Sequence, residues 1–490
     1  MLTASSSSSP AQATTSNALN AARRICFMVG SREKHETSES VILKRRLVLD
    51  ERTLESSRFR AAARSAWQLV RGTARGRVRR MAERLGPRVW HLGLSSLLVL
   101  LGCGEAGAGA GVFDDREALV AGAAYPTRNL AFVLVDVGMG VNITSQAAAG
   151  VLTTNPNSLK NLLLYESYGR QDITAQVVGP VSYPLSTCSD TETRNMATAL
   201  RPQFPGFDHY LYYLGSRLTA CTWSSLASVG TPGRPARDSW YNANSTCLAL
   251  GVGFQSNLGE AHSSSLRCPS GLPFADDPNQ CTAGEYGDPF DSMGGGCRHL
   301  SAWHKVHQGW LSGCNGVRVN ASGTFTLLPF ERRCDGPQFL KIKAPKSRTF
   351  FRPASGGVPA TTETFDSYYL ELRTPLDFDG TLGGSALTPR VLVHVGGELR
   401  SRTDSGVHTF LLDLAPSTTT FNDAALAQGQ TFTDPAGGLS ITAQAVSSTQ
   451  ATIVVQSTGS EAPQCLDNSS FTPPGPGTET CVDNPPAPVP

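Results

Sequence analysis

The sequence predicts an α+β protein in which a mixed helix-and-strand domain is followed by an antiparallel β-sandwich. Up to about residue 315, apolar runs typical of buried strands alternate with stretches of helical spacing. Beyond that point, short alternating runs are separated by Gly, Pro, Asn and Asp, which is the pattern of a sandwich of about seven strands. Hydrophobic residues make up 40% of the 490 residues, enough for a large buried core.

The mixed domain is predicted for residues 125–316. It begins with LAFVLVDV at residues 130–137, a continuous apolar run that favours a buried strand. Residues 158–169 have helical spacing, and ETRNMATAL indicates a second helix. The alternating stretch DITAQVVGPVSYPL and the apolar FDHYLYYLG at residues 207–215 predict two further strands.

The sandwich is predicted for residues 317–460. Its candidate strands lie in GTFTLLPF, QFLKIKAP, YYLELRTP, RVLVHVGG, HTFLLDLAP, LSITAQAV and ATIVVQS. Residues 461–490 are rich in Pro, Ser and Thr and contain two cysteines, which predicts an exposed tail held by a disulfide.

The N-terminal region carries most of the basic excess. Residues 1–102 hold 18 of the 42 basic residues and only 7 of the 40 acidic ones, so the remainder is acidic, which argues against nucleic acid as a partner. Residues 1–80 are interpreted as a disordered or mis-annotated leader. Residues 81–102 have a short basic region and an apolar run that ends in LLGC, which resembles a bacterial lipobox. That resemblance implies a lipoprotein signal peptide at residues 81–102, acylation of Cys103 and anchoring at the cell envelope in the outer membrane, with residues 103–124 as a flexible tether. The alternatives are a buried helix or a plain secretory signal, which would make the protein extracellular.

The cysteine content predicts an exported, disulfide-bonded protein. Ten cysteines follow Cys103, an even number that allows up to five disulfides, and no CxxC pair indicates a thiolate zinc site. Proximity along the chain pairs six of them as Cys221–Cys247, Cys314–Cys334 and Cys465–Cys481.

Several motifs fall in the order typical of one protease family. VGFQSNLGEAH at residues 252–262 precedes Glu-Tyr-Gly-Asp-Pro at 285–289, Ser-Met-Gly at 292–294, and a segment from His299 through Ala302 and Lys305 to Gly-Trp at 309–310. FDHYLYYLG and CTWSSLASVG precede them, and YYLELRTPLDFD and FNDAALAQGQTFTDPAGGLSITAQAVS follow. Over residues 125–460 the chain resembles the gametolysin-like metallopeptidases of the metzincin clan, which implies a metzincin-like domain followed by a β-sandwich.

The resemblance also shows what is missing. The metzincin pattern is His-Glu-x-x-His-x-x-Gly-x-x-His, in which three histidines bind zinc and the glutamate is the general base. Here Val252 and Ser256 replace two ligands and Gly253 replaces the base, so His262 is the only retained ligand position. By the same resemblance Met293 occupies the Met-turn, and Gly259 and Tyr286 border the cleft.

Three interpretations of this site remain open. The first is a peptidase fold that has lost its chemistry, because valine has no lone pair and glycine cannot act as a base. The second is a relocated metal site formed by side chains nearby in sequence, namely His299, His304, His307, Glu260, Asp288 and Asp291. The third is a nucleophile among Ser263–Ser265 beside His262.

The functional hypotheses follow from these interpretations. The first is a proteolytically inactive surface lipoprotein that binds a peptide or protein and requires no cofactor. The second is a zinc endopeptidase with an atypical ligand set, and the third is an adhesive or structural surface protein that uses its β-domain.

Overall fold

The computed structural model describes residues 125–354, 360–382, 385–397, 409–473 and 481–482. The predicted leader, signal peptide, tether and Cys103 lie outside these residues, as does much of the predicted tail. The described chain contains both helices and sheets and is mostly sheet, so the α+β prediction is confirmed.

A five-stranded sheet forms the centre of the first half. Its order is β2-β1-β3-β5-β4, and every neighbouring pair is parallel except β4 with β5. The predicted strands at 130–137, DITAQVVGPVSYPL and 207–215 are confirmed as β1, β2 and β3. The five strands are β1 (Arg128–Asp136), β2 (Ile173–Ser182), β3 (His209–Leu214), β4 (Ser225–Ala227) and β5 (Asp238–Asn242).

Helices cover both faces of this sheet. The first helix continues into a π-helical turn at Gly150–Thr154, and the two helices predicted at 158–169 and ETRNMATAL are confirmed as α2 and α3. Ser158, Ser189 and Thr246 cap the second, third and fourth helices with side-chain oxygens that accept backbone N–H groups. The helices are α1 (Ser145–Ala149), α2 (Leu159–Glu166), α3 (Asp190–Leu200), α4 (Cys247–Asn257) and α5 (Ala302–His307).

The continuous apolar character of β1 follows from this layering. Leu130 and Phe132 pack on one face with residues of α2 and α4, whereas Ala131 and Val133 pack on the other face with α3. A strand that is buried on both faces loses the alternation of polar and apolar residues. The helix α4 is thereby fixed against the sheet, beside the edge strand β4.

The second half is dominated by one curled sheet of ten strands, in the order β16-β17-β18-β8-β10-β11-β14-β15-β6-β7. The predicted antiparallel sandwich stays a prediction. The strands of this half are hydrogen-bonded into a single sheet. The boundary predicted at residue 316 also stays a prediction, although β6 and β7 precede it and share this sheet. Its strands are β6 (Ser264–Arg267), β7 (Thr282–Gly284), β8 (Gly316–Leu327), β10 (Phe339–Arg352), β11 (Thr361–Arg373), β14 (Arg390–Gly396), β15 (Phe410–Leu412), β16 (Thr431–Thr433), β17 (Leu439–Val446) and β18 (Ala451–Cys465).

Short strands and turns complete the described chain. Two small two-stranded sheets pair β12 (Thr381–Leu382) with β13 (Ser385–Ala386) and β9 (Arg333–Cys334) with β19 (Cys481–Val482). Single 3₁₀ turns occur at Arg201–Gln203, Pro269–Gly271, Pro278–Gln280, Gly313–Asn315 and Asp377–Asp379.

The described residues contain five disulfides, as the ten cysteines after Cys103 predict, but the pairing expected from proximity is wrong. The bonds are Cys188–Cys221, Cys247–Cys297, Cys268–Cys281, Cys314–Cys465 and Cys334–Cys481. The physical reason is sheet topology: the start of β8 lies beside the end of β18, where Val317 pairs with Cys465, so cysteines far apart in sequence meet. The disulfides indicate an exported protein. Within the described residues, no helix combines the length and apolar character needed to cross a bilayer.

Candidate functional site

A cleft of about 1280 Å³ lies between helix α4, the edge strand β4 and residues from the second half of the chain. Its walls are largely apolar, and Val229 and Tyr286 remain 55% and 39% exposed there. Large exposed apolar side chains beside a concave surface are typical of ligand-binding sites. The lining residues are Asp190, Thr222–Ala227, Val229, Leu248, Ala249, Val252, Gly253, Ser256, Glu260–His262, Tyr286, Gly294, Gly295, Arg352, Ala360 and Thr361.

The strand β4 presents one free edge to this cleft. Leu226 lies opposite Trp240 of β5, and the flanking bonds Ser228 N–H to Asp238 and Asn242 N–H to Ser224 are both 3.0 Å long. Because antiparallel pairing alternates, the backbone groups of Ser225 and Ala227 point away from β5. No other described strand pairs with that edge. It therefore has the hydrogen-bonding pattern that an added extended chain requires.

The helix that would carry the zinc ligands is intact as a helix. All residues from Ala249 to Asn257 are buried, and α4 ends before Gly259, whose φ of 106° is in the left-handed region. A side chain at Gly259 would approach Thr231 to 2.6 Å, so this turn requires glycine. Gly259 was predicted to border the cleft, but it packs against the loop at Thr231 and is not part of the lining.

The donor set at the three ligand positions does not fit a zinc ion. Val252 contributes only hydrocarbon, and the Ser256 hydroxyl donates to the Val252 carbonyl of its own helix at 2.8 Å. The His262 imidazole is engaged on both sides, by Glu285 at Nδ1 and by Tyr286 at Nε2. A catalytic zinc requires three protein ligands, and here at most one nitrogen would become available after displacement of Tyr286.

The position of the general base is filled by another residue. A Cβ atom at Gly253 would lie 2.6 Å from the Tyr241 hydroxyl and 3.0 Å from two of its ring carbons. Tyr241 is fully buried, and its hydroxyl is 3.0 Å from the Ser239 hydroxyl. Burial raises the pKa of Tyr241 well above its usual value, so its ring and hydroxyl form a neutral, fixed wall. A glutamate at 253 therefore has no room unless Tyr241 moves.

His262, Glu285 and Tyr286 form the most polar part of the cleft. The Nδ1 of His262 is 2.6 Å from a Glu285 carboxylate oxygen, and its Nε2 is 2.7 Å from the Tyr286 hydroxyl. Since a carboxylate only accepts, the neutral imidazole carries its proton on Nδ1 and accepts from the phenol at Nε2. Burial and the Glu285 charge raise the pKa of Tyr286 to about 12. At neutral pH the phenol is a hydrogen-bond donor and not a nucleophile.

The residues of the relocated metal site are engaged with one another and with other side chains. Glu260 accepts from His307 Nδ1 at 2.9 Å and lies 3.7 Å from His304 Nε2, and His304 Nδ1 donates to Asp291 at 2.9 Å. Elsewhere, Asp288 binds His394 at 2.8 Å and His299 lies beside the Lys305 ammonium at 3.3 Å. Among the described residues, no group of three or more His, Cys, Asp or Glu side chains is arranged to hold a metal ion.

The serines after His262 are not arranged as nucleophiles. Ser263–Ser265 are buried, and the last two belong to β6 in the large sheet. The Ser263 hydroxyl donates to Asp288 at 2.9 Å, whereas the His262 imidazole bonds to Glu285 and Tyr286. These positions therefore serve the packing of the sheet.

Met293 lies beneath the cleft. It is fully buried in a cluster that includes Val252, Trp303 and Trp310, and its carbonyl accepts the Ser263 N–H at 2.9 Å. The two tryptophans are core residues. A hydrocarbon floor thus occupies the place that zinc ligands have in the metzincin pattern.

Sequence reasoning missed Tyr241, Glu285 and Arg352. Arg352 reaches the cleft from the end of β10 and lies 3.4 Å from Glu285, although 67 residues separate them in the chain. Tyr241 occurs in a strand-like stretch, but its contact with Gly253 depends on how α4 crosses the sheet. Neither contact leaves a signal in local spacing.

Comparison with known proteins adds no relative. Neither the models of known protein families nor the curated proteins contain a match to this chain.

Proposed function

We propose that this protein is a non-catalytic homologue of the gametolysin-like metallopeptidases that binds an extended peptide segment in the cleft beside β4. It would be an exported surface lipoprotein held at the membrane through Cys103. In that family the metzincin-like domain is often followed by a β-domain. In this protein the β-domain would be the sandwich predicted from the sequence.

The arrangement of the first half supports the resemblance. The motif order is accompanied by a sheet of four parallel strands and one antiparallel edge strand, with the helix of the altered motif directly beside that edge. This likeness supports a fold; the function has to be argued from the site.

The observation that carries the loss of catalysis is the position of Tyr241. Its phenol fills the space beside Gly253, while Val252 and Ser256 supply no ligand that faces a metal. Activation of water on zinc needs both the metal and a base, and the residues at these positions provide neither. No hydrolytic step is therefore derived for this site.

The observation that carries peptide binding is the free edge of β4. Ser225 and Ala227 offer two N–H and two C=O groups toward a cleft whose apolar floor and exposed Val229 suit alternating side chains. Main-chain pairing would provide affinity, and the floor would provide selectivity.

Metal and turnover measurements test the loss of catalysis. The purified full chain, dialysed against zinc and then washed, should contain far less than one zinc ion per molecule. It should not cleave casein or gelatin, and a chelator should change nothing. Stoichiometric zinc with chelator-sensitive cleavage would instead establish an endopeptidase with an atypical ligand set.

A proline at the edge of β4 tests peptide binding. Ala227→Pro removes one outward N–H and leaves the ladder to β5 intact, because residue 227 does not bond to that strand. Peptides selected from a displayed random library on the wild type should bind this variant about ten-fold more weakly. The control Ala227→Val keeps the N–H and should bind normally. Equal binding by both variants would exclude strand addition, and failure to select any peptide would contradict the proposed function.

A further inference from the structure

Tyr286 is held in the cleft in a conformation that its backbone alone disfavours. Its φ is 55°, in the left-handed region, which a non-glycine residue adopts only at a cost in backbone strain. Its ring is nevertheless 39% exposed and forms part of the cleft wall. A strained and exposed aromatic side chain at a concave site requires an anchor and is a candidate for contact with a ligand.

The anchor is His262. The two ring centroids are 3.8 Å apart with planes tilted by 31°, and the phenol donates to Nε2 at 2.7 Å. The opposite nitrogen is fixed by Glu285, which is itself 3.4 Å from Arg352. Three largely buried side chains therefore orient one exposed ring. The imidazole that the family pattern assigns to a metal here positions a tyrosine.

The anchored ring leaves two features for a ligand. One ring face is covered by His262, so contact is restricted to the remaining face and edge. The hydroxyl donates a hydrogen bond to His262, and its oxygen retains a lone pair that can accept from a ligand N–H. Val252, Gly253 and the exposed Val229 line the same cleft as this ring, and they offer no charge and no hydrogen bond through their side chains.

The charged groups of the cleft lining are already paired, and Asp190 among them lies 2.9 Å from Arg194. Arg352 lies beside Glu285, and Glu260 accepts from His307 and Gln308 with the His304 imidazole 3.7 Å away. A charged ligand group placed over Val252 would lose its hydration without gaining a new partner, which is unfavourable. An apolar group at the same place would gain by burial against Val252 and the tyrosine ring.

We propose that Tyr286, positioned by His262, is the specificity-determining residue of the cleft, and that it selects extended peptides with an apolar side chain seated over Val252. This inference rests on the proposed peptide-binding function. It adds the chemical class of the bound side chain and the residue that reads it.

The test uses capped, fluorescein-labelled threonine peptides with a single central residue, which is Leu, Phe, Lys or Glu. Fluorescence anisotropy with the full chain measures their binding. We expect the Leu and Phe peptides to bind roughly ten-fold or more tightly than the Lys and Glu peptides. Tyr286→Ala should abolish this ratio and leave weak binding through β4. Phe351→Ala, which removes a comparably exposed aromatic outside the cleft lining, should preserve the ratio.

Two variants of His262 separate anchoring from general folding. Asn at 262 places an amide where Nδ1 lies and keeps the donor to Glu285, whereas Gln reaches the place of Nε2 and keeps an acceptor for Tyr286. We expect His262→Asn to lower the Leu-to-Lys ratio and His262→Gln to retain most of it, at similar thermal stability. If both variants lowered the Leu-to-Lys ratio equally, His262 would have only a structural role, and the positioning role would be overturned.

The outcomes distinguish the two proposals. If no peptide binds at all, the proposed function fails. If all four peptides bind equally, or the Lys peptide binds best, strand addition stands and the apolar subsite is wrong. Preference for Leu and Phe that survives Tyr286→Ala assigns the selection to Val252 alone and removes Tyr286 from it.

Discussion

At the scale of single residues, the two glycines of α4 differ in the space that surrounds them. A Cβ at Gly251 would meet only the terminal methyl carbon of Leu162, at 2.9 Å, whereas a Cβ at Gly253 would meet the ring and hydroxyl of Tyr241. The end of the Leu162 side chain can move by a small rotation, whereas the Tyr241 ring is fully buried. The sequence shows only that glycine stands at position 253; the packing shows that the space beside it is filled by Tyr241.

We predict that Gly253→Ala destabilises the protein by about 1–3 kcal/mol through overpacking. Gly251→Ala should be near neutral or stabilising, since alanine favours helix by about 1 kcal/mol over glycine. Urea denaturation of both variants provides the comparison. Adding Tyr241→Phe, which removes the nearest atom, should recover part of the loss at 253. An equal effect of alanine at both positions would show that Tyr241 does not fill the site.

His304 provides a second prediction at this scale, which concerns pH. Burial alone would lower the pKa of His304, but the charge and hydrogen bond of Asp291 outweigh it and raise the value to about 9. The folded state thus binds a proton more tightly than the unfolded chain, whose histidine titrates near 6.5. The resulting stabilisation is complete below pH 6.5 and is lost as the pH rises through 9.

We therefore expect the wild type to lose on the order of 3 kcal/mol more than His304→Asn between pH 6 and about 10. Asparagine keeps a donor for Asp291 but does not titrate. His209→Asn is the control, because burial lowers the pKa of His209 to about 4 and its stabilisation is lost only as the pH falls below 6.5. Parallel alkaline curves for wild type and His304→Asn would contradict a charged His304.

At the scale of elements, the sequence predicted the kind of each segment better than its partners. β1 and β3 were recognisable because a strand buried on both faces is a continuous apolar run, and α3 because its apolar residues recur at helical spacing. β4, at three residues, is too short to show any period, yet it forms the edge of the cleft. Local pattern carries the information for burial, whereas the cleft depends on which segments become neighbours.

The large sheet shows the same limit. Its seven predicted runs all fall on or near strands, but their order in the sheet joins β15 to β6, which precedes it by more than a hundred residues. Such pairing depends on the whole chain. It is also why Arg352, at the end of β10, reaches Glu285 and supports the anchor of Tyr286.

At the scale of the whole molecule, the disulfides join distant parts of the described chain. Cys314–Cys465 and Cys334–Cys481 each close a loop of about 150 residues, with sequence separations of 151 and 147, whereas Cys268–Cys281 spans 13. Proximity was a poor guide to pairing because sheet neighbours, and not chain neighbours, determine which cysteines meet. The cross-links restrict the unfolded chain most where the closed loop is longest.

The last prediction follows from that length dependence. Replacing Cys314 and Cys465 together by serine should cost about 1 kcal/mol more than replacing Cys268 and Cys281, according to the chain-entropy relation, because the retained Cys334–Cys481 bond shortens the loop between positions 314 and 465 to about 36 residues. Guanidinium denaturation in non-reducing buffer measures both losses on otherwise identical chains. In the variant that lacks Cys314–Cys465, peptide binding in the cleft should change less than the free energy of unfolding, because that bond does not cross-link the residues that hold Tyr286. If instead the variant that lacks Cys268–Cys281 were the less stable one, local packing at Cys268 would outweigh loop entropy. The longer bond would then contribute less to the free energy of unfolding than the shorter one.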